Sequence, residues 1–217
     1  MKIGVIAHPQ GGDVIAVCRD GKWFDFSGAY QAFCLIETKT AIEPVRTLRP
    51  LLDTGQCTVR FFGRVLDWTT GCNLADHYRL DSPPRFKLPL RPGKIVCIGR
   101  NYAKHAAETG HDVPEEPIFF SKSPTACIGD GEPIVIRERY GRVDHEGELA
   151  VVIGRTSTTL HPEQARDAIA GYTLLNDVTA RAMQKRDIEA GHPWFRSKSL
   201  DTFCPLGLVI AVPDALP

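Results

Sequence analysis

The stretch Asp81–Lys94, DSPPRFKLPLRPGK, constrains this chain more than any other, because its four prolines exclude both a continuous helix and a central strand. Proline fixes φ and removes the N–H that either ladder needs. The chain is expected to divide here, into a small N-terminal domain with its linker at 1–90 and a second domain at 91–217. A chain of 217 residues can bury about 70% of its unfolded surface, so neither domain requires a disulfide or a structural metal.

Before the break, Val14–Cys18 and Trp23–Phe26 read as strands around Asp20-Gly21, a two-residue hairpin signal. Ser27–Leu35 and Ala41–Leu52 read as short helices, the second interrupted by Pro44 and Pro50, and Phe61–Trp68 as a further strand. After the break, Ile95–Gly99, Pro117–Phe120, Pro133–Ile136 and Tyr172–Asn176 are expected strands. Glu148–Gly154, apolar after its first residue, is expected to be a central one. Asn101 can cap a helix Tyr102–Thr109 closed by Gly110, Pro162–Ala170 is a helix with Gly171 beyond its end, and Thr179–Ala190 is a helix stopped by Gly191. The fold class is α+β, mainly β.

Charge narrows the function. Lys plus Arg (26) equals Asp plus Glu (26), and no run of one sign stands out, which disfavours nucleic acid and anionic membranes as partners. No apolar run approaches the roughly 20 residues of a membrane span. The 7 cysteines are odd in number and include no CxxC pair, and MKIGVIAHPQGG lacks a signal-peptide core. Reduced thiols and a cytoplasmic location are therefore expected.

Glu146 and Glu148 stand at i and i+2 where an apolar strand begins, so their carboxylates leave one face. Side by side they repel unless a cation lies between them. Asp177 ends another apolar strand, in Leu174-Leu175-Asn176-Asp177. Three carboxylates without Cys or His suit a hard ion, Mg²⁺, Mn²⁺ or Ca²⁺, though taken alone such a motif more often marks solvated charges at a sheet edge.

Five ordered segments tip that balance: GRNYAKHAAE (Gly99–Glu108), FFSKSPTA (Phe119–Ala126), HEGELAVVIG (His145–Gly154), GYTLLNDVTARAMQ (Gly171–Gln184) and PWFRSKSLDTFCPLG (Pro193–Gly207). Together, from about Lys94 onward, they resemble the fumarylacetoacetate hydrolase family, and the first ninety or so residues resemble the smaller domain that precedes its catalytic β-roll. The resemblance implies that Glu146, Glu148 and Asp177 bind Mg²⁺ or Mn²⁺. It implies that His105 and Glu108 form a water-activating dyad, that Lys198 is catalytic, and that Lys122, Arg181 and Gln184 contact substrate. It further implies a small oxo-acid substrate and a homodimer.

Three reactions share that metal-enolate strategy. Hydrolysis of a C–C bond in a 2,4-dioxo acid, an acylpyruvate or fumarylacetoacetate, ranks first because of the dyad. Isomerisation of a 2-hydroxyhepta-2,4-diene-1,7-dioate, or decarboxylation of an oxo-acid in aromatic catabolism, is the alternative. Two positions depart from the family pattern, Ala182 where Asp is usual and Ser199 where Gly is frequent. Family members also continue past CPLG with more strands and a TGTPxG-like turn, whereas this sequence reads VIAVPDALP. The resemblance thus implies a catalytic domain incomplete at its C-terminal end, with an inactive family member acting as an assembly partner as the rival from another class.

Overall fold

A computed structural model describes residues 1–8, 11–81, 84–102 and 114–213. Its strands are β1 (Lys2–Ala7), β2 (Asp13–Arg19), β3 (Lys22–Asp25), β4 (Ile95–Gly99), β5 (Ile118–Lys122), β6 (Cys127–Ile128), β7 (Val143–Asp144), β8 (Gly147–Ile153), β9 (Ile169–Asn176), β10 (Thr179–Ala180), β11 (Cys204–Pro205) and β12 (Ile210–Ala211). Helices in the first half are α1 (Phe26–Glu37), α2 (Arg49–Asp53) and α3 (Val59–Gly71), and Arg181–Glu189 and Phe195–Lys198 are helical further on. The chain is mixed α/β and rich in strands. Among the described residues no helix is long and apolar enough to cross a membrane.

Two compact units divide the chain. The first joins Met1–Leu90 to Leu149–Leu175 and to the segment beginning at Leu206; the second joins Arg91–Glu148 to Asn176–Pro205. Neither is continuous in sequence. The reason lies in one six-stranded sheet, ordered β3-β2-β1-β12-β9-β8, in which strands from the end of the chain complete a sheet begun at its start.

In the first unit the hairpin forms where Asp20-Gly21 requires it, with both residues at positive φ (51° and 76°). Asp25 caps α1 by accepting from the Gly28 N–H at 3.1 Å, and Thr58 caps α3 by accepting from the Phe61 N–H at 3.1 Å. Phe26, Phe33, Phe62, Val65 and Leu66 from these helices pack with Ile3, Val5, Ile15 and Val17 of the sheet. Gly171 lies inside β9 because a Cβ there would meet the Ala211 carbonyl oxygen at 2.5 Å, so only glycine lets β12 approach.

Several sequence expectations are corrected here. Phe61–Trp68 lies in α3, not in a strand: Phe62, Val65, Leu66 and Thr69 recur at the helical spacing and are the buried ones. Of Ala41–Leu52 only the last turn is helical, and Pro133–Ile136 forms no strand. The helix at Pro162 stops at Ala165, passes through a 3-10 turn and yields to β9, while Thr179–Ala180 pair as β10 before the next helix begins. Among the described residues β8 is the last strand of its sheet rather than a central one, with Leu149 (60%), Val151 (48%) and Ile153 (60%) exposed. The helix expected at Tyr102–Thr109, with Gly110, falls outside the described residues beyond Tyr102.

The 7 cysteines are free thiols. Burial pushes Cys57 from an ordinary value near 9 up to about 12. The folded state holds that proton more tightly than the unfolded state. The resulting stability is complete below pH 9 and lost as pH rises towards 12, about 4 kcal/mol in all. Urea midpoints measured from pH 8 to 12 should therefore fall more steeply for the native chain than for Cys57→Ala; parallel curves would refute this.

Candidate active site

Register in the second unit assembles the site. β10 pairs antiparallel with β7, with Thr179 opposite Asp144 and Ala180 opposite Val143. The Asp177 N–H donates to the Glu146 carbonyl at 2.7 Å, and the Glu146 N–H donates to Asn176 Oδ1 at 3.0 Å. Glu146 and Asp177, 31 positions apart by their numbers, thereby become neighbours just beyond the β7–β10 ladder. Behind them Tyr140, Val178, Ala180 and Phe203 form a small apolar cluster, with Tyr140 and Phe203 in edge-to-face contact at 5.8 Å.

Two lysines enter from other elements. Lys122, the last residue of β5, has a fully buried side chain and donates to Asp177 Oδ1 at 2.6 Å, to the Val178 carbonyl at 3.4 Å and to the Lys198 carbonyl. Lys198 ends the helix Phe195–Lys198 and places its ammonium 2.5 Å from Glu146 Oε2 and 2.5 Å from Asp177 Oδ2. The same ammonium lies 4.9 Å from the centre of the Phe120 ring. Arg181 donates to Glu146 Oε1, to Asp144 Oδ2 at 2.9 Å and to Gln184 Oε1 at 2.9 Å. Thr179 Oγ1 is 3.2 Å from Glu146 Oε2.

Every carboxylate oxygen of Glu146 and Asp177 therefore faces a cation. Burial pushes the Glu146 carboxyl up, but Lys198 and Arg181 together outweigh it and hold the group below the usual carboxylate range. Cys97 on β4 feels the same cluster. Burial first, then the negative charges of Asp177 and Glu148 against the opposing pull of Lys122 and Lys198, push its thiol up to about 11. Glu148 is half-buried and acts on Cys97 electrostatically together with Asp177.

These residues fit a hard divalent cation in kind. Two carboxylate oxygens, from the β7–β8 and β9–β10 connections, already converge on one cationic atom, Lys198 Nζ, and carboxylate oxygens are the donors such ions take. Among the described residues no three acidic, histidine or cysteine side chains stand close enough to hold an ion as they are. Admitting one requires Lys198 to release a carboxylate. Beside the cluster lies a cavity of about 590 Å³, lined by Arg142, Asp144, Arg181, Gln184, Lys185 and Ile188 among others. Its arginines and lysine suit an anionic group.

Of the residues singled out in the sequence, Lys122, Glu146, Asp177, Arg181, Gln184 and Lys198 come together by direct contact. His105 and Glu108 lie outside the described residues. The sequence reading missed Asp144, which anchors Arg181; the signal was its place two before Glu146 in the alternation Asp144, Glu146, Glu148. It also missed Thr179 and Phe120, which carry no local signal. Ser199 has an ordinary negative φ of −121°, and its hydroxyl accepts from the Ser123 N–H at 3.0 Å, so a glycine is not required there. Ala182 packs where a Cβ on Gly141 would lie only 3.2 Å away.

Residues 94–217 match the family model described as fumarylacetoacetate (FAA) hydrolase C-terminal. An oxaloacetate tautomerase of Bacillus subtilis is 47% identical over 126 residues, covering 57% of this chain and 40% of that protein. A fumarylacetoacetate hydrolase structure from psychrophilic Exiguobacterium antarcticum is similar over 100% of this chain and 68% of its own, at 29% identity and a TM-score of 0.68. A 5-carboxymethyl-2-hydroxymuconate delta-isomerase structure from Mycobacterium smegmatis is similar over 98% of this chain and 66% of its own, at 32% identity and a TM-score of 0.62. The chain spans about half the length of the archaeal relatives it matches, at 52%, 51% and 48% of each.

Proposed function

The chain belongs to the fumarylacetoacetate hydrolase family, and on that premise we propose that it catalyses a proton shift on a small 2-oxo dicarboxylic acid, a tautomerisation or double-bond isomerisation through an enolate. The observation that carries the reading is the convergence of Lys122, Lys198 and Arg181 on Glu146 and Asp177. Removing a proton beside a 2-oxo group puts negative charge on its oxygen, and a buried site rich in fixed cations stabilises that charge without reorganising. The names of the tautomerase and isomerase relatives support the same reading.

Glu146, Glu148 and Asp177 are the residues that would hold a divalent ion, Mg²⁺ or Mn²⁺, which would supply Lewis-acid polarisation of the oxo group. Lys198, freed from one carboxylate, neutralises the oxygen that becomes anionic. Lys122 stays on Asp177 and fixes its orientation. Arg181 pairs with a substrate carboxylate, its guanidinium aligned by Asp144 and Gln184. His105, paired with Glu108, is assigned the proton transfer on the GRNYAKHAAE motif alone. In the net change the proton leaves the carbon next to the carbonyl and returns to oxygen, or to a more distant carbon when a double bond moves.

The same His–Glu pair and the hydrolase relative favour a second reading, cleavage of a C–C bond in a 2,4-dioxo acid by activated water. Ultraviolet assays separate the two. Oxaloacetate, acylpyruvates and hepta-dienedioates should be followed with Mg²⁺ and with chelator, and products identified. We expect enol–keto or double-bond interconversion with no change in carbon number. Acid fragments from an acylpyruvate would instead establish hydrolysis, and no turnover of any of the three classes would refute both.

A further inference from the structure

Asp187, on the helix Arg181–Glu189, is fully buried, and among the described residues its Oδ2 meets no hydrogen-bond partner. A buried carboxylate with an idle oxygen is costly, so what holds it must repay the loss. Oδ1 accepts from Nε of Arg196 at 2.6 Å and from its Nη2, although the arginine side chain is 60% exposed. Hydrogen bonding and charge from Arg196 hold the carboxyl below the usual carboxylate range against the cost of burial. The Asp187 carbonyl also accepts from the His192 N–H at 2.7 Å. The chain reversal between the two helices is thus closed on Asp187 by main chain and side chain together.

Neither residue touches the carboxylate cluster, but each shares a helix with one that does. Arg181, at the start of one helix, takes Glu146 Oε1; Lys198, at the end of the other, takes Oε2. Two helices therefore deliver cations to opposite oxygens of one carboxylate, and the Asp187–Arg196 pair is the ion pair that ties them. The short helix has other anchors: Ser197 Oγ donates to the Trp194 carbonyl at 2.9 Å, and Trp194 packs on Phe120 at 5.5 Å between ring centres. It can keep its fold without Asp187 while losing its alignment.

We propose that Asp187 and Arg196 form a positioning pair that sets the Lys198 ammonium between Glu146 and Asp177. The inference rests on reading Lys198 as a site residue, so its test uses no turnover. Acylation by acetic anhydride, followed residue by residue with mass spectrometry, reports ammonium accessibility. In the native chain Lys198 (3% exposed) and Lys122 (1%) should react slowly, and Lys185, whose side chain is 78% exposed, rapidly.

In Asp187→Asn, Lys198 should react roughly tenfold faster or more while Lys122, delivered by a different strand, stays protected. Arg196→Gln should do the same, which covers failure of the first variant to fold. Arg196→Lys should restore protection, because both arginine nitrogens use the single oxygen Oδ1, a contact that one ammonium can replace. Lys198 and Lys122 rising together would mean general loosening and would overturn the proposal, as would unchanged Lys198 or no rescue by lysine. A native chain that turns over none of the oxo-acids would defeat the functional reading, and the protection pattern would still decide this one.

Discussion

Glu146→Ala is expected to lower turnover of whichever oxo-acid is accepted by about a thousandfold or more. The side chain serves Lys198, Arg181 and Thr179 at once. Alanine leaves Arg181 with Asp144 and Gln184 and leaves Lys198 with Asp177 as its one carboxylate partner, so both cations relax away from where the substrate's charge develops. It also removes one of the three proposed ligands of the divalent ion. Chelator should act as strongly on the native chain, with activity returning on added Mg²⁺ or Mn²⁺, and Glu146→Ala should show no return. Glu146→Gln, which keeps volume and one acceptor, guards against reading a folding defect as a catalytic one. Activity within tenfold of native in both variants would refute the carboxylate assignment. Chelator resistance with an inactive Glu146→Gln would refute the metal while leaving the carboxylate in place.

Much of this site was legible because its parts are carried by short segments. Glu146, Asp177, Lys122 and Lys198 were found from the motifs that hold them, and the structure joins them by direct contact. The hairpin at Asp20-Gly21 and the strand Ile95–Gly99 were equally local, since turn geometry and an apolar run with a closing glycine suffice to specify them. What failed depended on distant partners. Phe61–Trp68 contains adjacent apolar pairs that imitate alternation, and only packing on the sheet selects the face made by Phe62, Val65, Leu66 and Thr69. An apolar Leu149–Ile153 reads the same in the centre of a sheet or at its edge, because a strand's place in the sheet is set by segments distant in sequence. Likewise the pairing of Lys2 with Ala211 links the two ends of the described chain and makes the first unit discontinuous. No composition shift at a proline-rich linker could reveal that.

Lys122→Met should be the most destabilising single change at the site, by about 3–5 kcal/mol. The Lys122 side chain is 0% exposed and neutralises an Asp177 side chain that is itself 5% exposed. Methionine fills the volume of the stem but strands one carboxylate oxygen and two main-chain carbonyls without a donor. For a chain of this size that loss lowers the melting temperature by on the order of 10 °C. The damage is a buried charge rather than a cavity, so removing the charge should undo it. Lys122→Met with Asp177→Asn is expected to be more stable than Lys122→Met alone, and the double-mutant cycle should give a coupling above about 1 kcal/mol. A divalent ion held by Asp177, as proposed, would supply positive charge in place of the lysine, so added Mg²⁺ should raise the melting temperature of Lys122→Met more than that of the native chain. Additive losses in the cycle would mean that the 2.6 Å contact contributes nothing in solution. An equal Mg²⁺ response in both chains would place the ion elsewhere than on Asp177.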